Sequence, residues 1–156
     1  MLLSLQAEGT FQAVVSTALA FVSRTAKLHP NGDAVFQANL TEKLQADVRT
    51  VMEYSRSTFI NQLNKGGEGT HLVHALLSRL VGSVLPAVLA GPNETMLLMG
   101  LDSKVLEVAE KAEPQPGQLK AVAACEAGIA FLDAKMEGMI PTLMRQRSAS
   151  GANYAA

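Results

Sequence analysis

The sequence predicts an all-α fold: a four- to five-helix bundle with long antiparallel helices and a buried apolar third helix. Three observations predict it. Aromatic residues make up only 4% of the 156 residues and tryptophan is absent, so the core has to be assembled from Ala, Leu, Val and Met. That mixture suits close-packed helices better than a β-sandwich, which wants aromatic and β-branched alternation. Apolar residues recur at spacings of three and four along most of the chain, the period of one helix face. Finally, Gly66, Gly67 and Gly69 separate a polar-faced stretch, 33–65, from a run at 71–91 that is apolar on nearly every side. A helix of that kind has to be covered by protein or lipid, so the other helices are expected to jacket it.

The first helix is expected over 10–28, with Thr10 after Gly9 as its cap. Phe11, Val14, Val15, Ala18, Val22 and Ala26 form its apolar stripe. The run His29-Pro30-Asn31-Gly32 stops it, since proline lacks an amide hydrogen and Asn-Gly accepts positive φ. Asp33 then caps a second helix over 33–65. Its stripe is Phe36, Leu40, Leu44, Val48, Val51, Met52, Phe59 and Leu63. The opposite face carries Glu42, Lys43, Arg49, Glu53 and Arg56, with Arg49–Glu53 and Glu53–Arg56 at helix-neighbour spacing.

A third helix is expected over 70–90, capped by Thr70, with Gly82 and Pro86 loosening its second half. Residues 72–90 are long enough to span a bilayer. Arg79 falls at the centre of that run, where a charge costs about +2.5 to +3.5 kcal/mol on insertion, and no basic cluster flanks it. A buried helix is therefore favoured over a membrane span. A fourth helix is expected over 94–112, started by Asn93, with a break at Gly100-Leu101-Asp102 and a new turn capped by Asp102. The linker Glu113-Pro114-Gln115-Pro116-Gly117 leads to a last helix over 118–145. Val122, Cys125, Ile129, Leu132, Met136, Met139 and Leu143 make its large apolar stripe. A second row, Ala123, Ala127, Ala130, Ala134 and Gly138, carries only small side chains, the kind of row that lets another backbone approach closely. Residues 1–147 read as one domain and 148–156 as a polar tail, with Tyr154 a candidate contact for a neighbouring chain.

Net charge is −1 and the isoelectric point about 6.3, which gives the surface as a whole no attraction for nucleic acid. Lys43, Arg49, Arg56, Lys65 and Arg79 still offer a local basic path, interrupted by acids. The single cysteine, Cys125, excludes an internal disulfide and reads as a small buried hydrophobe. The start of the chain lacks a positive region and is interrupted by Glu8, so no export signal is read. A cytoplasmic location, or one within an assembled particle, is expected.

Patterns that carry chemistry are sparse. Glu68 and His71 have Glu-x-x-His spacing, but di-iron bundles need that pair twice plus two more glutamates. His71 and His74 share a face and supply two zinc ligands where at least three are required. In 64–70 the lysine precedes the glycines and a helix leads in, the reverse of a phosphate loop, whereas a glycine C-cap accounts for the turn. No metal or cofactor is expected. Arg24 and His29, with four residues between them at a helix end, resemble the Arg-x4-6-His element of HEPN-type ribonucleases. The resemblance implies RNA cleavage by Arg24 and His29 across a dimer. It covers these two residues only; Thr25 follows the arginine, the pair sits in the first long helix and Pro30 adjoins the histidine.

The expected function is that of a non-enzymatic structural or adaptor subunit of a homo-oligomer, particle or multi-protein complex. Its partners are other protein chains, and its contact surface is Ala123, Ala127, Ala130, Ala134, Gly138 and Tyr154. The alternatives are a nucleic-acid-associated helical module of a ribonucleoprotein complex, a HEPN-like ribonuclease and a membrane-associated bundle.

Overall fold

The computed structural model describes residues 2–90 and 97–149, with side chains for 5–90 and 97–139. Every regular element among the described residues is helical, and together they form a helical bundle. The long members are α1 (Leu2–Ala26), α2 (Ala34–Asn64), α3 (Thr70–Leu89), α4 (Leu101–Lys111) and α5 (Lys120–Ala149).

α1 begins at Leu2, well before the expected start at residue 10. Thr10 is not a cap. It lies inside the helix, and its hydroxyl donates to the Gln6 carbonyl one turn back (2.9 Å), which satisfies a polar group that would otherwise compete with the helix. Ala7 is buried and Glu8 is tied to Arg56 of α2, so the early turns have tertiary anchors.

The turn from α1 to α2 is closed by side chains. The Asn31 amide donates to His29 Nδ1 (2.9 Å), the Asp33 amide to Asn31 Oδ1 (3.0 Å) and the Phe36 amide to Asp33 Oδ1 (2.9 Å). Asp33 is thus the predicted N-cap. The hairpin is antiparallel. Gln37 Nε2 donates to the Lys27 carbonyl (3.3 Å), Gln45 Nε2 to that of Leu19 (3.0 Å), and Arg56 reaches Glu8. As the residue number climbs on α2 it falls in step on α1. Arg56, placed beside Glu53 by helical spacing alone, also lies 5.8 Å from the Phe11 ring centre.

α2 ends in a Schellman motif: the Gly66 amide donates to Leu63 O (3.1 Å) and the Gly67 amide to Gln62 O (2.8 Å), with Gly66 at φ +82°. Both bonds satisfy carbonyls that a helix end leaves open. Gly69, not Thr70, holds the cap position of α3, at φ +72° and with no side-chain cap bond. A Cβ there would sit 2.6 Å from the Phe59 ring. Conformation and closeness both require glycine.

α3 is the buried third helix. Leu72, Val73, Leu76, Leu77, Leu80, Val81, Val84, Leu85, Val88 and Leu89 are all buried. One correction applies: its cover is incomplete. His71, Ala75, Arg79 and Gly82 form an exposed strip along it, and the strip is polar or small. Residues 80–84 widen into a π turn, with the Leu85 amide bonding Leu80 O. Pro86 explains the widening: it has no amide hydrogen, and its ring would press on the carbonyl four residues back.

Between α3 and α4, the expected helix start at 94 and the cap Asn93 lie outside the described residues. Leu97 and Leu98 are helical, the path breaks at Met99 and Gly100, and α4 starts afresh from Gly100 at φ +74°. Asp102 lies in its first turn and does not cap it by a side-chain bond. Lys120 Nζ caps the far end of α4, donating to the carbonyls of Glu110 (2.8 Å) and Ala112.

α5 runs to Ala149, so residues 148 and 149, expected in the tail, are helical. It lies parallel to α1: Arg24 pairs with Asp133 at 2.8 Å, and the start of α1 faces the start of α5. Arg24 is two residues from the end of α1. Residues 134–149, about 24 Å of helix, therefore continue beyond that pairing.

The other helices were expected to jacket α3, and α2 and α5 do so through Leu44, Val48, Met52, Ile129 and Leu132. α1 contributes as much, through Phe11, Val14, Ala18, Phe21 and Val22, and it packs on both α2 and α5. Phe21 was not in the predicted stripe, yet it is fully buried.

Candidate functional site

α5 presents two opposed faces. The inner one buries Ala121, Ala124, Cys125, Gly128, Ile129, Leu132 and Met136. The outer one exposes Ala130, Ala134 and Gly138, one turn apart, with Glu126 and Glu137 exposed beside them. The predicted small-residue row is split by the fold. Ala123 is buried, Ala127 is half-buried, and only the last three members face outward. Tyr154 lies outside the described residues.

A leucine of α3 seats directly against α5 at Gly128, which was not singled out in the sequence. A Cβ added there would meet Leu77 Cδ1 at 2.6 Å and Cδ2 at 2.9 Å. The signal was present as Ala121, Ala124, Cys125 and Gly128, small residues at helical spacing in register with the large stripe. At Gly138 an added Cβ meets nothing within 4 Å among the described residues, and the same holds for Gly9 in α1. A glycine inside a helix is less favourable than alanine by roughly 0.5–1 kcal/mol, and among the described residues no close neighbour requires the missing Cβ at these two positions.

Gly9 lines a second feature. A shallow groove of about 500 Å³ runs between α1 and the start of α5, lined by Gln6, Gly9, Thr10, Ala13, Gly117, Gln118, Leu119 and Val122. Leu5, one residue from it, is 65% exposed and Leu119 is 44% exposed.

The other candidates take structural positions. Arg24 is engaged by Asp133 and lies 6.0 Å from the Phe21 ring centre. His29 accepts the Asn31 amide and packs against Phe36, ring centres 4.6 Å apart. Both residues of the HEPN-like pair thus help hold the first hairpin and its join to α5. In the basic set, Arg56 pairs with Glu8 and Arg79 with Asp47 (Nη2–Oδ1 2.6 Å, Nε–Oδ2 2.9 Å), while Lys43, Arg49 and Lys65 are exposed. The Arg56 guanidinium holds the Glu8 carboxyl below its ordinary range, and Arg79 does the same for Asp47. Glu68 and His71 are both exposed, and among the described residues no three His, Cys, Asp or Glu side chains converge as metal ligands would. Cys125 is buried, and burial, assisted by the charge of Glu126, pushes its thiol up to about 12.

α3 is the one described helix long and apolar enough to cross a membrane, and its large apolar side chains are buried against the other helices. Comparisons with protein-family models, curated proteins and solved structures return no match.

Proposed function

We propose that this chain is a non-enzymatic helical subunit that works by packing against other copies of itself through the outer face of α5. The observation that carries the reading is the exposed row Ala130, Ala134 and Gly138, directly opposite the buried side of the same helix. A row without long side chains lets a second helix backbone come close, where dispersion contacts are dense and little side-chain entropy is lost. Gly138 adds support, because it weakens its own helix and an added Cβ there meets nothing within 4 Å among the described residues.

Sedimentation or light scattering across a concentration series tests the proposal. The expected result is a defined oligomer that Ala134→Glu dissociates while leaving the thermal melt of the fold unchanged, since Ala134 is exposed within one chain. A monomer at every concentration overturns it, as does an oligomer indifferent to Ala134→Glu.

A further inference from the structure

We draw no further inference here: the strongest candidate, the shallow groove between α1 and the start of α5 lined by Gly9, Ala13, Leu119 and Val122, carries nothing because nothing in the structure shows what covers it.

Discussion

Gly128 and Gly138 stand on the same helix, ten residues apart, and do opposite things. At Gly128 the missing side chain is used: the Leu77 methyl groups occupy the space a Cβ would need. At Gly138 the space is open. One glycine is there for the fold. The other weakens the helix, and its Cβ position is open among the described residues, which is what makes the outer face of α5 a candidate surface. Glycine content alone cannot separate the two roles; the neighbours decide.

The most severe way to break the inner side is at its partner. Leu77→Asp places a charge in a fully buried position with no counter-charge. The effective penalty for burying an unpaired ion is several kcal/mol, comparable with the total stability of a domain. We expect no cooperative melt by circular dichroism, and a folded Leu77→Asp protein would disprove the wrapping of α3. Gly128→Val is next. Overpacking of this kind costs typically about 1–3 kcal/mol, read as a lower urea midpoint. An unchanged midpoint would mean that α3 and α5 can separate freely.

Gly138→Ala should act in the reverse direction. Alanine raises helix stability by roughly 0.5–1 kcal/mol and its Cβ meets nothing within 4 Å among the described residues, so the urea midpoint should rise. If the outer face docks as proposed, the same substitution weakens association, and the two readouts part company. The smallest effect belongs to the exposed side of α3, where Asp47 and Arg79 tie it to α2. The Asp47 carboxyl is held below its ordinary value, chiefly by the hydrogen bond from Arg79. The pair's contribution is therefore complete above the unfolded carboxyl's titration, near about pH 4, and fades as the pH falls through the lower folded value. Asp47→Asn should be slightly less stable than the parent at neutral pH, and the difference should shrink in acid. A constant difference across that range would show that the ion pair is not its source.

Much of the bundle was legible because its signals are local. Asp33 reads as a cap and is one, and the glycines after α2 read as a helix stop and form the Schellman pair. Pro86 announced the distortion in α3. What could not be read depends on distant partners. Gly9-Thr10 looks like a helix start, but Ala7 and Glu8 find anchors on other elements and the helix continues through them. Arg56 had an acidic neighbour on its own helix, and the fold sends it to α1. The alanine row was visible as a row, but which members face outward depends on how far along α5 the other helices pack: Ala123 is covered, while Ala130, Ala134 and Gly138 are not. The groove beside Gly9 joins segments about a hundred residues apart, so no window of sequence contains it.

The single buried thiol gives this bundle an internal clock. Burial pushes the Cys125 thiol up to about 12, so near neutral pH it stays in the unreactive thiol form, and the same burial shields it from reagents. Alkylating reagents can therefore modify the protein only when the packing around Cys125 opens. Because there is one cysteine in the chain, modification adds one reagent mass per molecule and is counted directly by mass spectrometry. The labelling rate of the unaltered protein thus reports how readily the core around Cys125 opens, and Gly128→Val, which overpacks the same helix, should speed it.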